Sequence, residues 1–132
     1  MDLNQILTLL ICLFFSITFI ESGGDKLFNQ ESNLSWLRGH FEKTFLRPFI
    51  SSFFYFLLFF ELILGIAYAL GIIAAIAGHK EWIAYIQLAG LMLLILLFTG
   101  QRIAKDYVGA SGIVPYIIVG ILGLILSNHL FQ

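Results

Sequence analysis

Glu61 is the residue in this chain best placed to do chemistry. It is the one charge inside FISSFFYFLLFFELILGIAYALGIIAAIA, the stretch that follows Pro48 and ends at Ala77. A helix over Pro48–Ala77 is 30 residues long, which is about 45 Å against a bilayer hydrocarbon core of about 30 Å. The run therefore predicts a tilted membrane-spanning helix with a carboxyl near its middle. A carboxylate at that depth costs about 3 kcal/mol on insertion scales, so it needs a partner or a purpose. Three roles fit. Glu61 could carry a proton through a bundle. It could bind a cationic or hydrogen-bonding ligand such as a quinone head. Or it could be structural, bonded to Tyr55, Tyr68, Tyr85 or Gln87 on facing helices.

A second set of polar residues gathers on one side of the predicted membrane. Glu21, Asp25 and Lys26 end the first apolar segment, and Arg102, Lys105 and Asp106 follow the third. Glu21 or Asp25 is expected to reach Arg102 or Lys105. Such a cluster makes either a pocket for an anionic or quinone-like headgroup, or a set of ion pairs that anchor helix ends.

Other chemistries lack residues. Cys12 is the one cysteine, so no internal disulfide or dithiol chemistry is available, and it reads as a small apolar packing residue. His79 and His129 end the second and fourth apolar segments on one side, at the rim rather than inside, which is poor placement for haem ligation. His40 has no visible partner. No metal site is expected. No HExxH, phosphate-binding glycine loop or Ser/His/Asp pattern is present.

These residues need helices in lipid to hold them. The chain has 132 residues, 60% hydrophobic and 11% charged, with mean hydropathy +0.96. Soluble domains are about 25% charged, so this composition cannot cover a globule in water. The net charge of −1 gives no reason to expect nucleic acid as a partner. The expected architecture is all-α: a four-helix transmembrane bundle forming one domain, with spans at about 3–22, 48–77, 83–100 and 107–127. MDLNQ carries no Lys or Arg, and no small-x-small site follows the first apolar segment, so that segment is expected to stay in the mature protein.

Between the first two spans, Leu34, Leu37, Phe41 and Phe45 recur at helical spacing. They predict a short amphipathic helix lying at the membrane surface, with Trp36 suited to the headgroup layer and Arg38–Glu42 as an i,i+4 pair. Asn33 or Ser32 would cap it. Gly23-Gly24 either break the first helix or let another backbone approach it. Gly65/Ala69 and Ala67/Gly71 are small-xxx-small pairs that allow close helix packing. Pro115 either kinks the last span or marks its start. Four spans put both termini on one side of the membrane. The other side holds six Lys or Arg against Lys80 alone, which by the positive-inside rule places the termini outside.

The pattern resembles the DoxX family of small four-helix membrane proteins. Three places carry the resemblance: Ser22-Gly23-Gly24-Asp25-Lys26-Leu27-Phe28; Glu61-Leu62-Ile63-Leu64-Gly65-Ile66-Ala67 with Leu70-Gly71; and Ala104-Lys105-Asp106-Tyr107 before the last span. The chain lacks the basic N-terminal segment common in that family, and its connection after the second span is short. The resemblance implies a multi-pass protein of the bacterial inner membrane. It also implies an accessory or subunit-like role beside membrane oxidoreductases that use quinones, with a bound quinone or lipid as the expected ligand. The residues it carries over are Lys26, Glu61 and Gly65. The rival expectation is a proton-coupled transporter, a homo-oligomer using Glu61 within an aromatic cage of Phe54, Tyr55, Phe59 and Tyr68. A third is a purely structural subunit of a larger complex.

Overall fold

The computed structural model describes residues 1–79 and 81–130, the side chains of 129 and 130 excepted. Lys80 and the side chain of His129 thus lie outside the described residues. Five α-helices follow in order: α1 Leu3–Phe28, α2 Gln30–His40, α3 Ile50–Ile76, α4 Ile83–Ile103 and α5 Tyr107–Leu130, with a 3-10 turn at Arg47–Phe49. There is no strand among the described residues. Four helices (α1, α3 with its preceding turn, α4 and α5) are long and apolar enough to cross a membrane, which marks the chain as a multi-pass membrane protein.

The ends of these helices follow from local chemistry. Asp2 caps α1: Gln5 N–H donates to its carboxylate at 2.9 Å, and Gln5 Oε1 accepts from Asp2 N–H at 3.0 Å. Gly78, at φ +99°, ends α3. Its N–H donates to Ala75 O at 3.1 Å, and the next N–H, from His79, donates to Ala74 O at 2.8 Å. The turn from α4 to α5 repeats this geometry with Lys105 at φ 59°, a left-handed conformation that costs a non-glycine residue about 1 kcal/mol. Asp106 then caps α5 by accepting from Gly109 N–H at 2.9 Å.

Several boundaries differ from those read in the sequence. Gly23-Gly24 do not break α1, which runs on to Phe28. Gly23 instead serves close approach, since a Cβ there would lie 2.9 Å from Leu62 Cγ and 3.0 Å from Leu62 N on α3. Gly65 does the same in the other direction, with Ile20 N 2.8 Å from its would-be Cβ. Ser16 Oγ adds a bond to Gly65 O at 2.9 Å. These contacts make α1–α3 a tight pair, as small residues allow in lipid. Pro48 sits in the 3-10 turn rather than opening α3. The last turn of α4 includes Gln101 and Arg102. α5 begins at Tyr107 and runs through Pro115, so residues 107–112 are helix and not loop.

The bundle interior is apolar and aromatic. Phe15, Phe19 and Tyr68 stack with ring centroids 5.5–6.0 Å apart, and Leu57, Leu64, Leu93 and Leu94 pack around them. Outward positions such as Leu10, Ile17, Phe59, Ile66, Ile73, Met92 and Ile118 are exposed, as lipid-facing side chains are. A helix, α2, lies between the first two spans and ends at His40, short of the Phe41 and Phe45 of the stripe. Leu37 and Phe41 pack on Ile50 and Phe54, with Leu34 alongside, while Phe45 lies beyond the helix and is exposed.

Candidate functional site

Glu61 is 2% exposed, and its partner is Lys26. Lys26 Nζ lies 3.1 Å from Glu61 Oε2, with side-chain exposures of 16% and 3%. Ser22, one turn before Lys26 on α1, donates to the same oxygen at 2.9 Å and accepts from Lys26 Nζ at 3.0 Å. The i,i+4 spacing of Ser22 and Lys26 puts both on one face, and the close packing of α1 on α3 brings that face to Glu61. Glu61 Oε1 has no protein partner. Since every buried side-chain polar atom among the described residues is satisfied, Oε1 is open to the adjoining space. An ammonium carries three donors, and two are used here, so Lys26 retains one.

That space is a cleft of about 220 Å³. Ser22 and Lys26 from α1, Phe53, Leu57 and Glu61 from α3, Leu97, Gly100 and Gln101 from α4 and Ile113 from α5 form its walls. Asn33, Trp36, Leu37 and His40 of α2, with Phe41, cover it. At about 30 Å³ per water it holds several waters or one small ring; whole drug-sized ligands need about 300 Å³ or more.

The cover is tied down by His40. Its Nε2 lies 2.6 Å from Gln101 Oε1 and 3.6 Å from Asp106 Oδ2. Both facing atoms are acceptors, so Nε2 carries the hydrogen. The Trp36 ring stacks on the imidazole at 4.4 Å and 17°. Arg38 donates to Ser51 Oγ at 3.2 Å rather than pairing with Glu42, which lies past the end of α2. Asn29, not Asn33 or Ser32, occupies the position before α2 and makes no side-chain cap.

The other sequence candidates divide. Tyr68 and Gln87 are buried but bond each other at 3.4 Å. Gln87 Nε2 also lies 3.5 Å from Cys12 Sγ, which gives Cys12 its packed, inert place in the core. They form a second polar layer, and neither hydrogen-bonds Glu61. Tyr55 and Tyr85 are 50% and 71% exposed, so neither is a partner for it. Phe59 also faces outward, and the aromatic rings that do line the cleft are Trp36, Phe41 and Phe53. Asp25 bonds Asn29 at 2.8 Å and Asn33 at 3.2 Å. Glu21 is exposed. Arg102 lies over the Tyr107 ring at 4.5 Å. Among the described residues no ion pair joins Glu21 or Asp25 to Arg102 or Lys105.

Sequence reading therefore found Lys26 and Glu61 but missed Ser22, Trp36, His40 and Gln101. Ser22 was legible as one turn from Lys26. Gln101 falls just outside the expected span at 83–100, so its inward place in the last turn of α4 does not show in the sequence. No group of three His, Cys, Asp or Glu converges to hold a metal among the described residues. No family model, curated protein or solved structure matches the chain.

Proposed function

We propose that this protein is an accessory component of a quinone-linked membrane redox system, akin to the DoxX family, and that the cleft beside Glu61 holds a quinone or lipid headgroup. The observation that carries this reading is the open valence of the buried pair. Glu61 Oε1 is free to accept a hydroxyl proton, and Lys26 keeps one N–H for a carbonyl oxygen. A hydroquinone offers the first group and a quinone the second. Leu57, Phe53 and Phe41 give the ring an apolar bed. In this reading α2 lies at the membrane surface as the cover of the cleft, in the inner membrane of a bacterium, with both termini on the opposite side.

The transporter reading is weaker. Glu61 already has a cation of its own in Lys26, and Tyr55 and Phe59 point away from it. Mass spectrometry of small molecules that co-purify with the protein tests the proposal. Wild type should retain a quinone or a specific lipid that Glu61→Gln loses. Equal content in both samples, or none in either, contradicts it.

A further inference from the structure

A second pocket lies apart from the cleft and shares none of its lining. It is a shallow depression of about 410 Å³ at the end of α2, walled by Arg38, Gly39, Glu42 and Arg47. Arg38 donates to Ser51 Oγ at 3.2 Å, and Ser51 follows Arg47 by one turn at the entry of α3. That bond holds the two arginines in one corner, where the chain enters the span Arg47–Ile76. A guanidinium has five N–H donors, and this bond uses one of those on Arg38. Among the described residues neither arginine makes an ion pair, and neither does Glu42. A Cβ at Gly39 would meet nothing within 4 Å, so no side chain fills the space beside it.

Two unpaired guanidinium groups and one unpaired carboxylate on a single pocket suit a guest that carries both signs of charge. The planar guanidinium fork matches a phosphate, which it binds through two parallel N–H···O bonds. Glu42 repels a guest that is only anionic, and it accepts from an ammonium. The surroundings indicate the source of such a guest. Phe45 and Phe49, two positions to either side of Arg47, are 71% and 60% exposed, while Leu46 packs on the cluster of Leu37 and Phe54. Bare rings beside cations at the mouth of a span belong to the lipid interface, the rings toward the acyl chains and the cations among the headgroups.

We infer that this pocket binds one phospholipid with a primary ammonium head, a phosphatidylethanolamine. Arg38 and Arg47 take its phosphodiester, and Glu42 takes its ammonium. A soluble phosphoethanolamine compound offers the same polar groups, but it has nothing to cover Phe45 and Phe49. The inference is independent of what occupies the cleft beside Glu61.

The test uses the full chain purified in detergent and titrated with single lipids, with native mass spectrometry counting the bound molecules. Phosphatidylethanolamine, phosphatidylglycerol and phosphatidylcholine with identical acyl chains are compared with glycerophosphoethanolamine, which has the same head and no chains. Wild type should bind phosphatidylethanolamine about fivefold or more tighter than the other two lipids, and about tenfold or more tighter than glycerophosphoethanolamine. This ranking needs no variant to fold. Arg38→Gln and Arg47→Gln should each weaken phosphatidylethanolamine about tenfold. Glu42→Gln should abolish its advantage over phosphatidylglycerol. Lys43→Gln, exposed and outside the lining, should change nothing. Equal binding of the three lipids, a ranking untouched by Glu42→Gln, or a loss in Lys43→Gln as large as in Arg47→Gln overturns the inference. Glycerophosphoethanolamine binding as tightly as the lipid overturns it too, by placing the guest in water. None of these results bears on a quinone retained through Glu61, so failure here leaves the reading of the cleft standing.

Discussion

Lys26 Nζ sits 3.1 Å from Glu61 Oε2, and Ser22 Oγ bridges them, accepting from the ammonium at 3.0 Å and donating to the carboxylate at 2.9 Å. A charge that looked solitary in its own helix is half of a pair. Its insertion cost is offset by a cation on the neighbouring span, and the pair leaves one donor and one acceptor free toward the cleft.

Removing one partner should hurt more than removing both. Glu61→Leu or Lys26→Met leaves a largely buried charge uncompensated, a loss of about 3 kcal/mol. The double variant should recover most of it. Thermal unfolding of the detergent-solubilised protein checks this, and a double variant as unstable as the sum of the singles would show that the two side chains are not coupled.

The adjacent glycines should respond with opposite signs. Gly23→Ala pushes a methyl against Leu62 and should cost about 1–3 kcal/mol. Gly24 has nothing within 4 Å of the would-be Cβ, so Gly24→Ala should gain up to about 1 kcal/mol of helix propensity. The same unfolding measurement compares them, and equal shifts would contradict the α1–α3 packing.

Lys105→Gly should stabilise the protein by about 1 kcal/mol, because glycine adopts φ 59° without the Cβ penalty. Lys105→Ala should bring no such gain. If both raised the midpoint equally, relief of backbone strain would not be the cause.

His40→Ala removes the tie between the cover and the α4–α5 turn. A hydrogen bond of this kind is worth about 1 kcal/mol, so amide hydrogen exchange across Gln30–His40 should quicken by about fivefold. Exchange in α3 should stay as it was. Unchanged exchange in α2 would mean that Leu37 and Phe41, rather than the imidazole, hold the cover.

The spans were legible because lipid solvation demands long uncharged runs, and Leu3–Ile20 and Ile83–Gly100 carry no charge at all. The site was legible only in part. Lys26 and Glu61 stood out as residues, but not as partners, because a helix apolar on every side gives no clue to which face turns inward. That same ambiguity made Tyr55 and Tyr85 candidates although both face out. Gln101 and His40 are 61 positions apart, and their meeting depends on α4 running past Gly100 to Ile103. Of the Leu34, Leu37, Phe41, Phe45 stripe, the first two fall on α2, Phe41 caps its end and Phe45 lies beyond it, so the helical spacing marked the segment but not its length.

Fluorescence of Trp36 tests the central claim most directly. Trp36 lines the cleft, while Trp82 precedes α4, remote from it in the chain and absent from its lining. In a Trp82→Phe background the remaining indole reports on the cleft alone. The account predicts saturable quenching by a tailless benzoquinone that Glu61→Gln weakens at least about tenfold. Linear, unsaturable quenching that is the same with and without the Glu61 carboxylate would contradict it.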